Sequence, residues 1–100
     1  MKILLADDHG VIREGLKVLI ENQPGMKVVG EAEDGQKAVQ MAKQLSPDII
    51  VMDITMPNLN GVEAARLILK ENPHIRIIAL SVHSDKHFVT EMLKAGASGY

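Results

Sequence analysis

Short apolar runs alternate with amphipathic stretches along the whole sequence, and that alternation leaves few folds open. Ile3-Leu4-Leu5-Ala6 is an apolar run stopped by two acids. From Val11 to Ile20 the spacing changes: Ile12, Leu16, Leu19 and Ile20 share one helical face, with Arg13, Glu14 and Lys17 elsewhere. Pro24-Gly25 breaks that helix. The unit then repeats. Met26 to Ala32 reads as a strand, and Gln36 to Leu45 as a helix carrying Ala38, Met41, Ala42 and Leu45 inward, ended by Ser46-Pro47. Ile49-Ile50-Val51-Met52 is apolar on both faces, as a central parallel strand is. Val62 to Glu71 is a helix through Ala65, Leu67 and Ile68, closed by Asn72-Pro73, and Ile75 to Leu80 is the next strand. Ser84-Asp85 marks another helix start, with Phe88, Val89, Met92 and Leu93 inward and Ala95-Gly96-Ala97-Ser98-Gly99 at its end. Successive βα units predict an α/β fold: a doubly wound parallel sheet with helices on both faces and right-handed crossovers.

In such a sheet, ligands bind outside the carboxyl ends of the strands, near the point where strand order reverses. The residues that follow each strand therefore matter most. Asp7 and Asp8 follow the first, Asp53 the third and Ser81 the fourth; the second leads only into the turn Glu33-Asp34-Gly35. If the first and third strands are neighbours, the three acids converge. Carboxylates ~4 Å apart repel by roughly 4 kcal/mol per pair at an effective dielectric near 20, so the cluster needs a compensating charge. Mg²⁺, which takes hard oxygen ligands and keeps several waters, suits it, and the backbone carbonyl of Thr55 is a further candidate ligand. A single acid at a strand end is as often a turn former or helix cap; the joint pattern is what carries weight. The histidines, His9, His74, His83 and His87, are read as no metal site, with His83 and His87 on the surface. Met41, Met52 and Met92 are core fillers, and Met56, beside Asp53, is expected to shape the pocket.

Composition enters as exclusion. One hundred residues, 46% hydrophobic and 24% charged, make one domain with one core, which must be aliphatic because the chain has one Phe, one Tyr and no Trp. A net charge of −2 and no basic patch disfavour direct nucleic-acid contact by this segment. The absence of Cys rules out disulfides and thiolate metal sites. No apolar stretch is long enough for a signal peptide or membrane span, so a cytoplasmic location is expected.

Asp7-Asp8 after the first strand, Met52-Asp53-Ile54-Thr55-Met56-Pro57 with Gly61 after the third, Ser81 after the fourth, and Gly96-Ala97-Ser98-Gly99-Tyr100 together resemble bacterial response-regulator receiver domains over residues 1–100. Asp7-Asp8-His9 and Gly96-Ala97-Ser98-Gly99-Tyr100 look most like receivers that precede a LuxR-type helix-turn-helix output domain. The resemblance implies a flavodoxin-like strand order 2-1-3-4-5. It also implies a two-component phosphorelay in which Asp53 accepts a phosphoryl group from a sensor histidine kinase. Mg²⁺ or Mn²⁺ would be held by Asp8, Asp53 and the Thr55 carbonyl, with Asp7 acting through water. Ser81 would bond a phosphoryl oxygen, and Tyr100 would be the aromatic that turns inward on switching. The expected output is transcription, through a DNA-binding domain absent from this chain. The expected activity is self-phosphorylation, without turnover of a small molecule.

The pattern departs from the family where a lysine should follow the aromatic, because the sequence stops at Tyr100. A further βα unit takes on the order of 20 residues, so the chain is expected to be truncated before the end of the fifth strand and the fifth helix. An isolated chain of this length is expected to be destabilised, or to dimerise or swap elements through the open strand edge, and to phosphorylate weakly. Two other readings compete. A phosphatase of the aspartyl-phosphate type would want a second acid where Thr55 stands. A receiver-like binding module that is never phosphorylated would not need all three acids. A dinucleotide-binding fold is disfavoured because no G-x-G-x-x-G loop follows the first strand.

Overall fold

A computed structural model describes residues 1–54, 56 and 58–80. In chain order its elements are β1 (Lys2–Ala6), α1 (Gly10–Glu21), β2 (Lys27–Ala32), α2 (Gly35–Leu45), β3 (Ile49–Asp53), α3 (Gly61–Glu71) and β4 (Arg76–Leu80). The strands form one parallel sheet in the order β2-β1-β3-β4. The chain therefore steps one way from β1 to β2 and the other way to β3, and right-handed crossovers put α1 on the opposite face from α2 and α3. The helix expected from Ser84-Asp85 lies outside the described residues.

The α2–α3 face holds the closed core. Leu4, Ala6, Ile50, Met52, Ile77 and Ala79 alternate along the strands toward Ala38, Ala42, Ala64, Ala65 and Ile68. Alanines on the helices let the helix backbones lie close to a sheet of branched and long aliphatic side chains. The helix ends are fixed locally. Asp34 accepts the Lys37 N–H at 2.8 Å to start α2, and Asn60 accepts the Glu63 N–H at 3.0 Å to start α3. Ser46 ends α2 in the left-handed region at φ 45°.

The other face is less complete. Ile3 and Leu5 are buried, Ile49 and Val51 are half-buried, and Ile78 is exposed. α1 has no buried residue, and the expected inner face of this helix is corrected: Leu19 is 65% exposed and Ile12 is exposed, while Arg13 and Lys17 are half-buried beside Leu16 and Ile20. The cause is polar. The Arg13 guanidinium donates to the Asp7 carbonyl at 2.6 Å and pairs with Glu31 of β2 at 3.3 Å, and Lys17 lies 3.8 Å from the same Glu31. Leu67 of α3, also expected inward, is exposed at the rim of a cavity that it lines with Val39, Ala42 and Ile68.

Candidate functional site

β1 and β3 pair with Ala6 opposite Met52, so their carboxyl ends finish level and the next residues, Asp7 and Asp53, emerge side by side. The Asp7 N–H donates to the Ala32 carbonyl on β2 at 3.0 Å, which holds the start of the first loop against the sheet. One ligand atom from each of Asp7, Asp8, His9 and Asp53 lies within 4.8 Å of all the others. Asp7 and Asp53 are each only 5% exposed. Carboxylates buried this close together call for a compensating positive charge.

Sequence reasoning gives His9 no part in this pocket, and the structure brings it against the acids. Asp7 Oδ1 accepts the His9 backbone N–H at 2.8 Å, an Asx turn that folds the imidazole back over the pocket. Its Nδ1 then lies 2.9 Å from Asp7 Oδ1, 3.1 Å from Asp8 Oδ1 and 3.7 Å from Asp53 Oδ2. The hydrogen bond to Asp7 and then attraction to Asp8 raise the imidazole pKa above its ordinary 6.5, against an opposing desolvation that exceeds the further attraction to Asp7 or to Asp53. The signal in the sequence was adjacency alone: an Asp two residues before a His can close this turn.

The loop after β3 is held from both ends. The Ile54 N–H donates to the Leu80 carbonyl at 3.2 Å, and the Gly61 N–H donates to the Ile54 carbonyl at 2.9 Å. Ile54 and Met56 are buried and join the aliphatic core. Asn58, at φ 68°, donates from its amide to Asp34 Oδ2 at 3.1 Å, so one carboxylate both caps α2 and tethers this loop. The Lys37 N–H, with help from Asn58, lowers the Asp34 pKa. Thr55, Ser81 and Tyr100 lie outside the described residues.

The donor set fits a divalent cation. Three carboxylates, two of them buried, offer hard oxygens at the end of two adjacent strands, and Asp8 is exposed to water. An acid pocket at the reversal point of a doubly wound sheet lies where such folds bind their ligands, and that arrangement is found in receiver-type signalling proteins. The chain belongs to the response regulator receiver domain family, whose model matches residues 3–100. The transcriptional regulatory protein DegU of Brevibacillus brevis is 44% identical over 100 residues, covering all of this chain and 42% of that protein. The chain thus spans less than half the length of that curated relative. A LuxR-family response regulator from Aurantimonas sp. SI85-9A1 superposes with a TM-score of 0.94 at 42% identity, over 99% of this chain and 71% of that one. The CheX–CheY–BeF₃⁻–Mg²⁺ complex from Borrelia burgdorferi gives 0.89 at 28% identity, over 98% and 74%. The observed order β2-β1-β3-β4 is that of the receiver fold expected from the sequence. Among the described residues no helix is long and apolar enough to cross a membrane.

Proposed function

We propose that the chain is a phosphoacceptor: Asp53 takes a phosphoryl group from the phosphohistidine of a sensor kinase, and Asp7, Asp8 and Asp53 hold the divalent cation the reaction needs. The convergence of those three acids, with Asp53 closing β3, is the observation that carries this reading. In the transfer, an Asp53 carboxylate oxygen forms the new P–O bond while the P–N bond to the donor imidazole breaks, and the departing ring nitrogen takes up a proton. The chain's own residues contribute positioning. The β1–β3 register aims Asp53 at the pocket mouth, and Arg13 fixes the Asp7 backbone. A bound Mg²⁺ or Mn²⁺ would neutralise phosphoryl oxygens that the acids alone would repel. Its ligands would be Asp8, Asp53 and the Thr55 carbonyl, with Asp7 acting through water.

The product adds up to about two negative charges and three acceptors at one point. In this reading Ser81 bonds one of those acceptors and Tyr100 moves in response, which changes the surface that a longer protein reads. DegU is a transcriptional regulator more than twice as long as this chain, which supports control of a DNA-binding output region in the cytoplasm. The Borrelia complex, which contains BeF₃⁻ and Mg²⁺, supports the choice of cation. The test is intact mass after incubation with acetyl phosphate. The expected result is a gain of one phosphoryl group that needs Mg²⁺, is labile in base and is lost in Asp53→Ala. A gain that persists in Asp53→Ala would refute the assignment.

A further inference from the structure

The loop between β3 and α3 is pinned at two levels. At its base the Gly61 N–H donates to the Ile54 carbonyl at 2.9 Å. Further out the Asn58 side-chain amide donates to Asp34 Oδ2 at 3.1 Å, on the neighbouring loop before α2. Beside that bond the two loops meet through backbone, since a Cβ on Gly35 would run into the Leu59 carbonyl. Only Thr55, Met56 and Pro57 separate the two pinned points, and Met56 is buried. Asn58 is exposed yet holds φ 68°, a conformation that a residue with a side chain keeps where its surroundings demand it. Capping α2 does not make that demand, because the Lys37 N–H uses the other oxygen of Asp34, Oδ1, at 2.8 Å.

We propose that Asn58, held by Asp34, is a positioning residue for the cation: the bridge keeps the segment from Ile54 to Asn58 in the arrangement in which the Thr55 carbonyl serves as a ligand. The inference rests on the phosphoacceptor reading above and deepens it, by extending the support of the site to a side chain that touches neither cation nor phosphoryl group. A carbonyl ligand cannot be aimed by a side-chain rotamer; the backbone on either side sets its place, and the outer partners of metal ligands control affinity. Without the bridge the loop keeps its base contact and loses its outer one. The free protein then spends less time in the ligating arrangement, and cation affinity falls by that fraction. Once bound, the cation is itself the restraint, so transfer at saturating Mg²⁺ is nearly untouched.

The experiment measures Mg²⁺ affinity by calorimetry, and phosphoryl gain from acetyl phosphate by intact mass, in the protein, Asn58→Gly, Asn58→Asp and the exchanged pair Asp34→Asn with Asn58→Asp. Asn58→Gly keeps the left-handed backbone and deletes the amide. Asn58→Asp sets two carboxylates against each other. The exchange restores the bridge with its direction reversed: an amide at position 34 donates to a carboxylate at position 58, while its carbonyl oxygen still caps α2. Thermal melts verify that each variant is folded. Both single variants are expected to weaken Mg²⁺ binding by about threefold to tenfold, the effect of one hydrogen bond. The rate at saturating Mg²⁺ should change by less than about twofold, and the exchange should regain most of the lost affinity. Unchanged affinity in both single variants, or affinity no better in the exchanged pair than in Asn58→Asp alone, would overturn the proposal while an Asp53-dependent gain of mass leaves the phosphoacceptor reading standing. Failure of the unmodified protein to gain that phosphoryl group would overturn both.

Discussion

Gly61 begins α3 with its Cα against the backbone of Asp53 and Ile54, and a Cβ there would run into the Asp53 carbonyl oxygen. The side chain is missing because the loop must double back tightly enough for the Gly61 N–H to reach the Ile54 carbonyl. Gly61→Ala is therefore expected to cost about 1–3 kcal/mol, as other overpacked sites do. It should also weaken Mg²⁺ binding, because the strain falls on Asp53; a denaturant midpoint and a metal titration check the two effects. Asp34 sits further along the same line of support. Its pKa is lowered by the Lys37 N–H and Asn58, so its contribution is complete above the ordinary carboxyl value of 3.8 and is lost as pH falls through the lower folded value. The difference in denaturant midpoint between the protein and Asp34→Ala should thus be constant from neutral pH down to that region and shrink below it. A difference that grows on acidification would contradict the tether. Asn58→Gly keeps the left-handed backbone while deleting the amide, and should remove the Asn58 part of the effect alone.

The helix ends show how far residue types dictate local structure. Asn60 accepts the Glu63 N–H, and Asn60→Ala should destabilise the chain by about 1 kcal/mol, the usual cost of a lost cap. Ser46 closes α2 at φ 45°, where a side chain is strained, so Ser46→Gly should stabilise by about 0.5 kcal/mol once the greater freedom of glycine in the unfolded chain is deducted. Thermal melts resolve both. The same elements explain what the sequence made readable. β1, β3 and β4 were visible because parallel strands covered by helices are continuous apolar runs, and Asp7, Asp8 and Asp53 were visible because they interrupt those runs at the carboxyl ends. The position of α2 followed from Ala38 and Ala42, whose spacing matches the buried face. α1 was placed correctly in the chain and turned wrongly. Apolar spacing cannot anticipate that Arg13 will bury its stem to reach a carbonyl and a glutamate on β2. His9 was missed for a related reason: its place depends on a turn made by the Asp7 side chain, a contact no periodicity encodes.

Over the whole molecule the sheet divides unequal layers. On one side α2 and α3 bury alanines and Ile68 on a closed aliphatic core. On the other, α1 buries no residue and leaves Val11, Val18 and Leu19 largely exposed, so its hold on the sheet leans on Arg13, Lys17 and Glu31. Regions with few buried apolar contacts open at lower free energy than the core. Yet α1 follows directly from its N-cap His9, so its first turn carries the loop that presents Asp7 and Asp8. The least anchored layer therefore supports half of the acid pocket. Hydrogen exchange should find the α1 amides at least about tenfold less protected than those of β1 and β3. Arg13→Met keeps much of the apolar stem but deletes the donor to the Asp7 carbonyl. It should destabilise by about 1.5–3 kcal/mol, the range for a hydrogen bond to a charged group, and lower α1 protection further. Occupying the pocket with Mg²⁺ should raise protection in α1 more than in α2, because the ion would tie Asp7 and Asp8 to Asp53 across the β1–β3 seam. Equal protection of the two layers in the metal-free protein, or a magnesium response confined to α2, would show that α1 is held by something other than its polar anchors.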